Sequence, residues 1–209
     1  MKKSIVLVFI AFSCVQLYCG EITLPPELFW WLHEVKKGNE NIELNEFKIV
    51  SKDTLPIEKG DVKIPSILNY PVFYRWNYSG NYMAYYDYGC SLGLNRLTGK
   101  YSLTFDIDSN LYICRKNGGA LFVQPFGSCA GIDGLAWLTD RKLVTAGIEI
   151  IHGVNDTATI NLIITEYTIN EDNIERISYV YSNAFDNKKR SELKLKWYEQ
   201  RPDYFELDY

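Results

Sequence analysis

Three cysteines, Cys90, Cys114 and Cys129, lie in the body of the chain, where their thiols could form a disulfide or hold a soft metal. In an oxidising compartment one disulfide among the three is expected, with Cys19 as a fourth partner if it survives processing. Spacing alone does not choose the pairing. A Cys114–Cys129 bond would close the glycine-rich stretch "CRKNGGALFVQPFGSCAGIDG", residues 114–134, and constrain it by about 3 kcal/mol in the chain-entropy treatment. That stretch reads as a hairpin with a wide turn or, with a function, as a rigid recognition loop. A metal centre is not expected: no two of these thiols are two residues apart, and no histidine lies near them.

Acid–base chemistry has few candidates. His33 and His152 are the only histidines, and neither stands in a recognisable nucleophile motif. A carboxylate pair of the glycosidase kind could come from Asp87, Asp106, Asp108, Asp133, Asp140, Glu149 or Glu166. Such a pair is defined by its separation in space, and 26 acids give too many choices to single one out. "DIDSN", residues 106–110, opens like a calcium loop, but Leu111 and Asn117 occupy the places that need glycine and glutamate. It reads as a turn. No catalytic residue and no cofactor are expected.

The N-terminus carries a different chemistry. Lys2-Lys3 precede an apolar run from Ser4 to Phe12, long enough for a signal-peptide core and too short for a spanning helix. Before Cys14 stand Ala11-Phe12-Ser13, small at both positions that a signal peptidase reads. Before Cys19 stands Tyr18, a poor fit. Ala11–Cys14 resembles a relaxed bacterial lipobox with Ala in place of the commoner Leu, which implies a lipid anchor on Cys14. The alternative is ordinary cleavage near Cys19 to Glu21 and secretion. Loss of Lys2 and Lys3 takes the formal charge from −4 to −6, and Lys188-Lys189-Arg190 is the longest basic run. An acidic chain of this kind is not expected to bind nucleic acid. Asn77-Tyr78-Ser79 and Asn155-Asp156-Thr157 match the N-glycosylation pattern, which beside a bacterial lipobox reads as coincidence.

The elements follow from punctuation and period. In "TLPPELFWWLHEVKKGN", residues 23–39, prolines open the segment, lysines sit near its end, and Gly38-Asn39 stop it. Leu28, Trp31, Leu32 and Val35 share one face, so an amphipathic helix packed on the main body is expected. A membrane or partner contact through Phe29-Trp30-Trp31 is the sharper alternative. "NIELNEFKIVS" reads as one strand within a connector. Beyond Val72, "YMAYYDY", "YSLTFDI", "NLYIC", "KLVTAGIEII", "TINLIITEYTI", "ISYVY" and "ELKLKWYE" all read as strands. An aromatic–turn–apolar pattern recurs at Trp76–Tyr82, Phe105–Leu111, Trp137–Leu143 and Tyr167–Ile174, near hairpin spacing, with Trp197 as a further aromatic in step.

These elements predict a mostly β, single-domain fold: an antiparallel meander forming a barrel or sandwich, with one N-terminal amphipathic helix. Three of the hairpins also resemble the inner hairpin of a propeller blade, but the chain is too short for four such blades. The expected divisions are a signal peptide over 1–19, the helix and connector over 20–68, and the β domain over 69–209. The expected function is that of an exported, lipid-anchored envelope protein acting as a non-catalytic binding module. Trp76, Tyr82, Tyr85, Tyr86 and Tyr88, with the 114–134 stretch, would meet a protein, peptide or saccharide. The alternatives are a structural or assembly lipoprotein and an extracytoplasmic hydrolase using carboxylates.

Overall fold

The computed structural model describes residues 22–57, 74–86, 90–94, 96–105, 109–116, 120–127, 129–152, 158–196 and 205–207. Cys14, Cys19, Asp87, Tyr88, Asp106, Asp108, Trp197 and the 155–157 acceptor pattern lie outside them.

The helix forms where its punctuation places it. A single 3-10 turn, Pro26–Leu28, leads into α1 (Phe29–Gly38), with Lys36 and Lys37 in the last turn. Leu28, Trp31 and Val35 are buried, and Leu32 is partly so. Burying a tryptophan completely removes about 150–250 Å² from water, roughly 4–6 kcal/mol of transfer free energy. Trp31 therefore anchors the helix. Trp30 packs against the same core, leaving only Phe29 of the aromatic triplet prominently exposed. The three rings present no joint contact surface.

The helix lies on a five-stranded antiparallel sheet in the order β1 (Lys48–Pro56), β11 (Asn173–Asp186), β10 (Ala158–Ile169), β9 (Lys142–His152) and β8 (Ala130–Trp137). Period two sorts its side chains. Val144, Ala146 and Ile148 of β9 and Ile160, Leu162 and Ile164 of β10 join Trp31 and Val35 in the helix-side core. Leu143, Tyr167 and Ile169 point the other way. There they meet Ala84, Tyr86, Leu111, Ile113 and Phe122 of a four-stranded antiparallel sheet. Its order is β2 (Tyr74–Trp76), β3 (Tyr82–Tyr86), β6 (Ser109–Arg115) and β7 (Ala120–Phe126). Two sheets packed face to face, with a helix outside, make a sandwich. Among the described residues no sheet closes into a barrel, and no blade-like array forms. A three-stranded sheet joins β4 (Cys90–Leu94), β5 (Tyr101–Phe105) and β12 (Phe205–Leu207), with β12 parallel to β5.

Three of the four recurring patterns are hairpin connections: β2–β3, β8–β9 and β10–β11. The fourth, Phe105–Leu111, links β5 of one sheet to β6 of another. The turns of β2–β3 and β8–β9 lock together across the sandwich. Asn77, 4% exposed, accepts from the amides of Asn81 (2.9 Å) and Tyr82 (3.0 Å) and donates to the Asp140 carbonyl (2.7 Å). The Ser79 amide donates to the Asp140 carboxylate at 2.6 Å, and the Trp137 indole to the Arg75 carbonyl, also at 2.6 Å. Asn77 is thus a structural hub, with its amide committed to these bonds.

Residues 114–134 take the hairpin reading: they hold the end of β6, its antiparallel partner β7 and the start of β8. One sequence expectation changes. "ELKLKWYE" does not start as a strand. After the short helix α2 (Asn187–Ser191), residues 192–196 run as turn and coil. Leu193 and Leu195 still pack on the helix-side core, so burial of alternate leucines in a turn-and-coil segment satisfies the alternation that suggested a strand.

Candidate functional site

The start of β8 is where the architecture becomes irregular. Register along β8–β9 runs from Trp137↔Leu143 to Gly134↔Ala146, then skips Asp133 before Ile132↔Gly147. That one-residue bulge places Asp133 beneath the helix, fully buried. Its carboxylate accepts from the Trp31 indole at 3.0 Å and pairs with the Lys196 ammonium at 2.9 Å. A buried carboxylate needs such partners, because desolvation of a lone charge costs several kcal/mol. The ion pair fixes Lys196, and with it the chain that follows α2, across the end of the sandwich.

Glycines permit this crossing. A Cβ on Gly147 would lie 2.0 Å from the Gly131 carbonyl oxygen, so β8 can fold this closely over β9 only with no side chain there. A Cβ on Gly131 would come 3.1 Å from the Tyr86 hydroxyl and 3.6 Å from the Lys196 ammonium. The missing side chain at 131 leaves a notch facing both polar groups.

That notch is part of a cleft of about 130 Å³. Ile148 and Ile150 provide its apolar wall, and Tyr86, Ser109, Arg190 and Lys196 its polar groups. Tyr86 and Ser109 share a 2.6 Å hydrogen bond. Burial raises the Tyr86 phenol above its ordinary range, against the hydrogen bond from Ser109, so it stays a neutral hydroxyl. Arg190, carried by α2, has a buried Nε with no hydrogen-bond partner among the described residues. The exposed Cys129 also lines the cleft. An apolar wall with a few converging polar groups is the usual make-up of a small-molecule site.

Of the predicted aromatic residues, the four that are described, Trp76, Tyr82, Tyr85 and Tyr86, do not form a common surface. Tyr85 and Tyr86 are each only 2% exposed. Tyr86 faces the inter-sheet core; Tyr85, on the other face of β3, stacks on Tyr112 and meets Tyr74 edge-on. Tyr82 is partly buried and stacks with Trp137, whereas Trp76 is 49% exposed. Only Tyr86 reaches the cleft. Of the predicted disulfide partners, Cys114 is buried on β6 and Cys129 exposed before β8, and no disulfide joins the two. Cys90 lies in β4. Burial pushes the Cys114 thiol up to about 12, so it is inert at neutral pH.

The acid–base candidates are dispersed. His33 and His152 are both exposed, and neither lines the cleft. Glu166 is buried on β10 but paired with Lys142 at 3.1 Å, and Glu149 accepts from Asn161. Among the described residues no group of three His, Cys, Asp or Glu side chains could hold a metal ion. A second polar cluster ties the two sheets together: the Tyr167 hydroxyl and Arg176 both donate to Gln124, and Arg176 also bonds Asp53 at 2.8 Å.

Sequence reasoning missed Arg190 and Lys196. Both lie in a charged stretch that reads as solvated turn, and their neighbours are far away in the chain. The glycines at 131, 134 and 147 were the available signal, since glycine within a strand marks a close approach. At Gly134 what approaches is the helix: a Cβ there would meet Leu28 at 2.9 Å and Trp30 at 3.0 Å. No protein-family model, curated protein or solved structure matches the chain.

Proposed function

We propose that this chain is an exported binding protein, anchored to the bacterial envelope through Cys14, whose ligand site is the cleft at the start of β8. The observation that carries the reading is the Gly131 notch. Glycine leaves open a space bordered by the Tyr86 hydroxyl, the Lys196 ammonium and an apolar wall of isoleucines. The surrounding chemistry favours binding over turnover, because the buried Asp133, which meets the cleft through Lys196, is committed to that lysine. The cleft is smaller than the roughly 300–1,000 Å³ of a typical drug-sized site. It would hold the end group of a ligand whose remainder lies outside.

The test is thermal unfolding of the purified chain with the dialysable small-molecule fraction of the source cell's envelope. Ligand at 100 times its Kd adds about 2.7 kcal/mol of stability, several degrees in Tm for a domain of this size. A rise in the wild type that Gly131→Ala abolishes supports the cleft as the site. No rise, with envelope proteins co-purifying, would replace this reading with an assembly role. Exposure of Trp76 (49%) and Tyr78 (69%), two residues apart at the β2–β3 turn, favours that second reading.

A further inference from the structure

Resting on the cleft as the binding site, we infer that the group it takes is a carboxylate, held by the Arg190 guanidinium and Lys196 and sealed by the Tyr86–Ser109 hydroxyl pair.

Three observations converge. The first is the buried Nε of Arg190, which has no partner among the described residues, whereas the buried acids there, Glu34, Asp133 and Glu166, are each matched by a lysine. A buried guanidinium nitrogen without an acceptor is costly, and the planar fork it belongs to fits a carboxylate in two parallel bonds. The second is charge. Arg190 and Lys196 bring two positive charges and Asp133 one negative, leaving a single net positive charge at the cleft. A monoanion balances it, whereas a phosphate near its dianionic state would exceed it. The third is size and wetting. At about 30 Å³ per water, 130 Å³ corresponds to roughly four water volumes, which suits a carboxylate with a short apolar stem against Ile148 and Ile150.

Tyr86 completes the arrangement. Since burial keeps its phenol protonated, it can present O–H to an anion at any pH near neutrality. In this arrangement Ser109 donates the 2.6 Å bond between the two hydroxyls, which fixes the ring and leaves the single phenol O–H to face the anion. Arg190 reaches the site because α2 is held by the Asp186 cap on the Lys189 amide, and because Leu195 anchors the chain beyond it.

Cys129 makes the test direct, because its thiol is exposed and lines the same cleft. The full chain is alkylated with iodoacetate or with iodoacetamide, and the Cys129 peptide is quantified by mass. The two reagents differ in charge: one carries a carboxylate and the other a neutral amide. The iodoacetate-to-iodoacetamide rate ratio at Cys129 should exceed that of the urea-unfolded chain. Arg190→Gln should lower it by about tenfold, the effect of losing one charge-assisted hydrogen bond. Arg190→Lys, which keeps charge without the fork, should fall between. Lys189→Gln removes a neighbouring charge outside the cleft and should leave the ratio unchanged. In the wild type, with no variant needed, acetate should slow iodoacetamide at Cys129 while the unfolded chain shows no slowing.

Equal ratios in wild type and Arg190→Gln, or an equal fall in Lys189→Gln, would overturn the assignment. If chain purified from its source also protected Cys129 from both reagents until dialysed, the ligand would be neutral and the binding reading would stand alone. If Cys129 behaved as in the unfolded chain throughout, the carboxylate and the binding site would fall together.

Discussion

Replacing Asp133 by Ala should be among the most destabilising single changes in the helix–sheet interface. The carboxylate is fully buried and holds both the Trp31 indole, at 3.0 Å, and the Lys196 ammonium, at 2.9 Å. Its removal strands a buried N–H, which costs about 1–3 kcal/mol. It also breaks a buried ion pair, for which about 3–5 kcal/mol is usual. Lys196 keeps 23% of its side chain exposed and can turn toward water, so the lower end applies. The combined loss is about 3–4 kcal/mol, roughly 10 °C in Tm for a domain of this length. Asp133→Asn keeps an acceptor for the indole and should lose about half as much. Trp31→Phe removes the donor and retains most of the ring, so pairing it with Asp133→Ala closes a double-mutant cycle. A coupling of about 1–2 kcal/mol is expected from urea unfolding followed by far-ultraviolet circular dichroism. If Asp133→Ala falls within 1 kcal/mol of the wild type, or the two changes simply add, the bulge does not staple the helix to the sheet.

Other residues give equally direct tests. Gly147→Ala puts a methyl 2.0 Å from a backbone oxygen that no side-chain rotation can move, so it should cost more than the usual 1–3 kcal/mol of overpacking and lower expression or Tm sharply. Asn77→Ala leaves the Asn81 and Tyr82 amides without their shared acceptor and should cost about 2–3 kcal/mol by urea unfolding; Asn77→Asp restores the acceptor but loses the bond to the Asp140 carbonyl. At pH 8 Cys129 should alkylate readily while Cys114 stays unmodified in the folded chain, as peptide mapping would show. The stability Cys114 contributes by staying protonated is complete below the thiol's ordinary range and drains as pH rises from about 8.5 toward about 12, which a pH series of urea midpoints would reveal against Cys114→Ala.

The elements that read clearly from sequence were those whose signals are local. Pro25-Pro26, the Leu28–Trp31–Val35 face and Gly38-Asn39 mark a helix without reference to the rest of the chain. The β9, β10 and β11 strands carry enough β-branched and aromatic residues to declare themselves, and three aromatic–turn–apolar patterns became hairpin connections. What failed depended on distant partners. Glycines 127, 131 and 134 suggested a wide turn, yet two of them serve strand and helix approaches that only the fold creates. Tyrosines at Tyr82–Tyr86 suggested a recognition face, but both faces of β3 are covered: Ala84 and Tyr86 on one side, Met83 and Tyr85 on the other. Period two tells which side chains share a face, not whether water or protein lies beyond it. Asp133 and Lys196 are 63 residues apart and had no shared signal at all.

Intact mass decides directly between an anchored binding protein with an occupied cleft and a secreted chain with an empty one. The protein would be taken from its own cell's envelope and weighed under native and then denaturing conditions. The expected result is a chain beginning at Cys14 and heavier by acyl groups, with a native mass that exceeds the denatured one by a small ligand. A chain beginning near Glu21, with identical native and denatured masses, would contradict both the anchor and the binding role.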